Sequence, residues 1–376
     1  MTNKELTAAI TLGAISMTIF NILPVYLGAV AETLQLTADK VGFLASIEPV
    51  TAALIAALGP YWIKSFNWRK LAAISFSVLI VGNGLCMLVE SYQSLVIVRL
   101  VTGIFGSGLG YALAIAMVAE ADKPDRVFGL AIVILVIIGA IGLYLLPFFT
   151  PEFGMDAPFL FLALPALSCF PILKWCPQHS RKQILAESSS AVTFPLYIPV
   201  LGLAVHAIWY LNVGAFWAFV ERIGNHAGLG ETDIGLALTV GMLAGISGAA
   251  LAVIFNVRFG RAWPLAGTLV IHITVMTVLM GELTATKLAL IVSAYNISWN
   301  FGLAYMLGLI ATADSSGRLA VLIPVFQGMG IGGGPAIAGM IAVQYGYHAI
   351  ALFAIMCCVV AFCVYFPFAL RVVRQT

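Results

Sequence analysis

Apolar residues along this chain gather into runs of about twenty, separated by short polar breaks. A helix needs that length to cross the hydrocarbon of a bilayer. The runs fall near 7–31, 41–63, 71–91, 94–119, 127–149, 157–175, 194–220, 234–257, 263–281, 288–312, 319–343 and 349–370. They predict an all-α integral membrane protein with twelve transmembrane helices. The last two share an uncharged run from Leu319 to Leu370, twice what a bilayer accepts, so they are divided at Gln344-Tyr345-Gly346-Tyr347-His348.

Composition agrees. The chain is 62% hydrophobic and 9% charged, against roughly 25% charged residues in a soluble globule. A net charge of +2 with no basic patch among aromatics gives no reason to expect nucleic acid as a partner. The six cysteines lie in or beside apolar runs without metal-ligand spacing and read as small packing hydrophobes. No metal or cofactor is expected. Lys4, the first apolar run and Ala29-Val30-Ala31 loosely mimic a cleaved leader, but the run from Thr7 is too long for one and is taken as a retained helix.

Basic residues set the orientation. With the N-terminus inside, fourteen Lys and Arg fall in cytoplasmic segments, among them Lys64, Arg69, Lys70, Lys123, Arg126, Arg258 and Arg261. Only Lys40, Arg222 and Lys287 fall outside, and Arg99 alone is left within the membrane. The positive-inside bias places both termini in the cytoplasm.

The halves resemble each other. Phe153-Gly154-Met155-Asp156-Ala157 aligns with Tyr345-Gly346-Tyr347-His348-Ala349 at an offset of 192, and Asp122 and Arg126 align with Asp314 and Arg318. Asp39-Lys40-Val41-Gly42 aligns with Thr232-Asp233-Ile234-Gly235 at 193, as does Phe66 with Phe259. This order predicts two pseudo-symmetric six-helix bundles, residues 1–176 and 194–376, joined by a polar cytoplasmic linker at 177–193. Such repeats place a solute site at their interface, near the midplane.

Within Ser94–Glu120 the run carries Arg99 and then Gly103, Gly106, Gly108 and Gly110, which admit close helix approach. A guanidinium in hydrocarbon costs about 2.5–3.5 kcal/mol on insertion scales, so it must face a partner or a wet cavity. Glu48, followed by Pro49, is the acid at comparable depth. Burial raises a carboxylate's pKa and a neighbouring guanidinium lowers it, which suits a proton-coupling pair. A fixed ion pair that only sets helix register is the alternative. His206 lies mid-way along the seventh run with Trp209, Tyr210, Asn212 and Trp217, the last read as an interfacial anchor. The tenth run offers Tyr295, Asn296, Ser298, Trp299, Asn300 and then Tyr305, the two asparagines sharing a face at i and i+4. Gln327 is a further candidate, and His272 is read as outward packing or an interhelical bond. Gly328-Met329-Gly330-Ile331-Gly332-Gly333 satisfies a dinucleotide pattern but follows no strand, so close helix packing is expected.

Twelve helices, cytoplasmic termini, two halves and a polar central loop resemble the major facilitator superfamily over essentially the whole chain. Gly59 and Phe66-Asn67-Trp68-Arg69-Lys70 fit its loop after the second helix, although Lys64 stands where an acid is usual; Asn256-Val257-Arg258-Phe259-Gly260-Arg261 also lacks the acid. Arg99 through Gly110 matches its fourth-helix motif, which is linked to proton coupling. The fifth-helix antiporter signature is poorly matched at Gly139–Pro147, and a similar pattern appears at Gly328–Gly339. The general look is of the bacterial drug and sugar efflux branch. Helices 1, 4, 7 and 10 line the pathway in that family, so Asn21, Tyr26 and Tyr111 join His206, Trp209, Tyr210, Asn212, Asn296, Trp299, Asn300, Tyr305 and Gln327 as residues expected to face the solute.

The expectation is a secondary transporter of a small organic solute working by alternating access, proton-coupled, with antiport slightly favoured. Proton-coupled uptake by symport or facilitated diffusion is the alternative, and a non-transporting sensor or scaffold a remote one. An enzyme is not expected, since no H-E-x-x-H, G-x-S-x-G or pair of intramembrane acids occurs. Partners are the solute, protons and membrane lipid; a monomer in the cell's inner membrane is expected.

Overall fold

The computed structural model describes residues 1–63, 65–180, 197–256, 258–313 and 322–375. Lys64, Val257, residues 181–196 with most of the expected linker, and residues 314–321 with Asp314 and Arg318 lie outside the described residues. All regular structure among those described is helical.

The chain divides into two compact units, Met1–Leu185 and Ala186–Thr376. The first holds α1 (Asn3–Asn21), α2 (Leu23–Thr33), α3 (Ala38–Trp62), α4 (Trp68–Cys86), α5 (Tyr92–Thr102), a π-helical segment (Gly103–Gly108), α6 (Leu109–Ala119), α7 (Pro124–Phe153) and α8 (Asp156–Cys169). The second holds α9 (Tyr197–His226), α10 (Glu231–Phe255), α11 (Ala262–Leu279), α12 (Ala285–Ala313), α13 (Ile323–Tyr345) and α14 (His348–Gln375). Element ends recur from one unit to the next. Ala38 and Trp62 of α3 stand 193 residues before Glu231 and Phe255 of α10, and Tyr92 stands 193 before Ala285. Phe153 and Asp156 precede Tyr345 and His348 by 192. The long uncharged run breaks where expected, at Gly346, which adopts φ +80° between α13 and α14.

Ten of the described helices are long and apolar enough to cross a membrane, or up to eleven if α1 and α2 form one span. Those two meet at a bend of 53°. The sequence predicts a single helix over 7–31; Pro24 breaks it, since its ring nitrogen cannot donate to the Phe20 carbonyl and its ring crowds that carbonyl. Helix α12 has 29 residues, but Tyr295, Asn296, Ser298 and Asn300 thin its apolar content.

Burial runs opposite to a water-soluble protein. The Arg126–Phe153 span has mean hydropathy 2.8 and only 28% of its window buried, whereas Val200–His226 has mean hydropathy 1.5 and 78% buried. An oily helix is left outside only where the surroundings are oily too. Trp217, nine residues before the end of α9, is buried within its unit at 7% exposure.

Helices pack closely through glycine. In the second unit Gly241 and Gly248 of α10 face Val292 and Ile297 of α12, while Gly330 and Gly334 of α13 lie on the Ala207 and Leu211 carbonyls of α9. Gly330 of the dinucleotide-like string, and Gly334 just after it, therefore serve backbone approach.

Candidate functional site

In the first unit a polar cluster sits inside apolar helices. Glu48 of α3 is 6% exposed and Arg99 of α5 1% exposed, and they form an ion pair. Arg99 donates through Nη2 to Glu48 Oε1 and through Nη1 to Asn83 Oδ1 of α4 at 2.9 Å. Asn83 is itself fixed, its amide donating to the Leu79 carbonyl at 2.7 Å. The second carboxylate oxygen of Glu48 accepts from the Ser107 hydroxyl. Tyr26 of α2 and Cys86 of α4 complete the surroundings, both interacting electrostatically with the pair. Neither charge faces lipid. Both are paired and hydrogen-bonded, the condition under which a buried charge is tolerated.

The π segment explains how Ser107 reaches Glu48. A π turn bonds i to i−5 and inserts one residue, rotating the remainder of the helix by about 100° relative to an uninterrupted α-helix. Glycine makes the turn and its packing feasible. A Cβ on Gly108 would stand 2.7 Å from the Gly103 carbonyl oxygen and 3.3 Å from the Ala52 Cα, and one on Gly103 would stand 2.6 Å from the Thr51 hydroxyl. Ser75 of α4 donates to the Gly106 carbonyl at 2.8 Å, satisfying one backbone group of the segment.

The repeat supplies an internal comparison. At the 193-residue offset Glu48 corresponds to Gly241 and Arg99 to Val292, and these two also touch: a Cβ on Gly241 would lie 2.8 Å from the Val292 Cβ. The same helix–helix contact is thus charged in one unit and apolar in the other. Helix α12, the counterpart of α5 to α6, runs through without a π segment.

The second unit carries a different cluster. Trp209, Tyr210, Asn212 and His206 of α9 are fully buried, at 0% exposure. Trp209 donates through Nε1 to His272 Nδ1 of α11 at 3.3 Å, and the Asn212 amide nitrogen approaches the same atom at 3.3 Å. With Nδ1 accepting, the proton of a neutral His272 sits on Nε2. His272 stacks on Tyr295 of α12 at 4.1 Å and 9°. His206 lies 4.7 Å from the Tyr210 ring, beside Gln327 of α13. Tyr210 meets Trp299 edge-on at 6.4 Å.

The other residues expected to face the solute are more scattered. Asn21, at the α1–α2 bend, donates to the Leu135 carbonyl of α7 at 2.9 Å, and Tyr26 meets Phe159 of α8 edge-on at 5.6 Å. Tyr111 is half-buried on α6, and Trp299, Asn300 and Gln327 are half-buried as well. Asn296 and Asn300 do share a face, but each amide donates to its own helix, to the Val292 carbonyl at 3.0 Å and the Asn296 carbonyl at 2.9 Å. Both stand over Gly245 of α10. Tyr305 is buried beside Phe301. Sequence reasoning missed Asn83 and Ser107. Asn83 was findable as a lone amide in an apolar run, whereas the aim of Ser107 depends on a π turn that helical spacing does not announce. His272 turns out to be the interhelical member of its cluster, bonded and stacked.

Several solved structures share this fold. An aspartate-to-alanine mutant of the nucleoside transporter NupG superposes with a TM-score of 0.74 at 13% identity, covering 96% of this chain and 99% of that one. A bacterial homologue of the human lysosomal transporter Spinster, in an inward-facing conformation, gives 0.75 at 13% identity, covering 100% and 98%. No curated protein sequence matches the chain. The sequence model of the Major Facilitator Superfamily matches residues 8–205, more than half of the chain. The chain therefore belongs to the Major Facilitator Superfamily, a family of membrane transporters and not of enzymes.

Proposed function

We propose that this protein is a proton-coupled secondary transporter that moves a small organic solute by alternating access, with Glu48 as the proton site and Arg99 as its switch. The observation that carries this reading is the Glu48–Arg99 pair with its Ser107 and Asn83 partners, set where the other repeat has Gly241 against Val292. A contact that the fold satisfies with apolar groups elsewhere does not need charges for packing. Protonation of Glu48 removes its negative charge and leaves Arg99 buried without its counter-ion, among the neutral Asn83, Cys86 and Tyr26, a costly state. That state is relieved when the site opens to water or when solute supplies an acceptor. A binding event of this kind shifts a two-state equilibrium by its differential affinity for the two states.

In this proposal α12 is counted as a span and α1 with α2 as one, giving twelve, and the 1–176 and 194–376 bundles rock about a solute site. The termini lie in the cytoplasm, by the excess of basic residues in cytoplasmic segments, and the protein works as a monomer among the lipids of the inner membrane. Antiport out of the cell is the direction taken, following the resemblance to drug and sugar efflux proteins. The solute has a planar ring with hydrogen-bonding edges, a reading supported by the half-buried Trp299 against Tyr210 and Gln327 beside His206. Nucleosides are the first solutes to try, given the likeness to a nucleoside transporter.

The test uses purified protein in liposomes, with solute accumulation measured with and without a pH gradient. Glu48→Gln is expected to abolish accumulation driven by the gradient while sparing solute exchange. Unchanged accumulation in that variant would remove Glu48 from the mechanism.

A further inference from the structure

We propose that Ser107, delivered by the π segment Gly103–Gly108, is a positioning residue that holds Glu48 in its ionised, Arg99-bound form, so that this turn sets the pH at which the site takes up a proton. The inference rests on the reading of Glu48 as the proton site and adds the device that tunes it. Two independent observations carry it. The Ser107 hydroxyl donates to the carboxylate oxygen that Arg99 does not occupy, so the two oxygens of Glu48 have different partners. The π segment occurs in the unit that has the charged pair, while the corresponding helix α12 is regular and the corresponding positions, Gly241 and Val292, are apolar. The irregular turn and the acid it serves occur together.

The hydroxyl has a second acceptor within reach, the Gly103 carbonyl at 3.4 Å, one turn back on the same segment. That gives the proton step a complete description. A proton adds to the Glu48 carboxylate, the Arg99 ion pair is lost, and the Ser107 O–H swings from Glu48 to Gly103. On release the reverse occurs. The Ser107 hydroxyl is not stranded, because it exchanges one oxygen for another. Among the described residues, the other titratable or charged groups facing Glu48 are Arg99 from α5, Tyr26 from α2 and Cys86 from α4, with Asn83 neutral beside them. None of them is itself replaced by a substitution at Ser107.

A donor withdrawn from a carboxylate favours its protonated form. The consequence is read directly by pH-difference infrared spectroscopy on the full chain in lipid nanodiscs. The Glu48 carboxyl band is the one lost in Glu48→Gln. In Ser107→Ala its titration midpoint is expected to move to higher pH by about one unit, the size of a lost charge-assisted hydrogen bond. Ser107→Thr, which keeps the hydroxyl, returns the midpoint to within a few tenths of the parent, and Ser107→Cys, with a weaker donor, falls between. An unmoved midpoint in Ser107→Ala and Ser107→Cys would overturn the proposal, as would a Ser107→Thr midpoint as displaced as that of alanine. The transport reading is judged separately by gradient-driven accumulation in Glu48→Gln, so either claim can fail while the other stands.

Discussion

Replacing both charges by apolar residues of similar size, Glu48→Leu with Arg99→Met, should harm the fold less than removing either one. Arg99→Met alone leaves a carboxylate buried at 6% exposure with only the Ser107 hydroxyl for company. Breaking a buried pair from one side costs about 3–5 kcal/mol. If the Met1–Leu185 unit melts cooperatively, that is about 6–20 °C in Tm. The double variant recovers the desolvation of both charges, worth about 1–4 kcal/mol in comparable replacements. Against this stand the Ser107 hydroxyl and the Asn83 carbonyl oxygen, which lose partners at about 1–3 kcal/mol each, though Ser107 can fall back on the Gly103 carbonyl. The net change is about 2 kcal/mol or less, so the two substitutions compensate each other by several kcal/mol. Thermal melts of the parent, both single variants and the double variant in one detergent complete the double-mutant cycle, with gradient-driven accumulation measured alongside. The expected pattern is near-parental melting in the double variant with accumulation abolished. A double variant as unstable as the singles would show that the pair holds α3 to α5, and the argument from Gly241 and Val292 would fall.

The packing sets other outcomes. Gly334→Val drives a side chain into the Leu211 carbonyl of α9, backbone that cannot yield; it should cost more than the roughly 1–3 kcal/mol of ordinary overpacking and show as lost folded yield on size-exclusion chromatography. Gly267→Ala, where nothing lies within 4 Å of an added Cβ, is its control and should melt at or slightly above the parent. His272→Phe keeps the stack on Tyr295 but leaves the Trp209 indole N–H without its acceptor; a loss of about 1–3 kcal/mol is expected by thermal melt. Thr33→Val removes the oxygen that accepts from the Met155 backbone N–H at 3.1 Å and should cost about 1 kcal/mol.

The large-scale plan is readable because a bilayer imposes length. The breaks between runs, the split at Gln344–His348 and the 192–193 offset all reappear in the helix ends, and Glu48 and Arg99 stand out as charges where hydrocarbon tolerates few. Which way a side chain faces is harder to read. Lipid and protein interior are both apolar, so α10, packed against α12 through glycines, carries no polar stripe to mark its inner face. The i, i+4 spacing of Asn296 and Asn300 correctly gives a shared face but not that the face meets Gly245. The bend at Pro24 is visible as a proline and yet easily read through, because the apolar run continues across it. The π turn leaves no trace in helical periodicity beyond its glycines, so in the sequence Ser107 is one more small residue in a glycine-rich run.

The oily exterior of the Arg126–Phe153 span has a thermodynamic corollary. Within a bilayer, separating these helices moves apolar surface from protein to acyl chains and exposes little of it to water. The heat-capacity increment that curves the stability of soluble domains should therefore be small for this protein in lipid. Its stability should fall almost linearly with temperature, with no cold-side maximum, and should rest on glycine-mediated contacts and the two polar clusters.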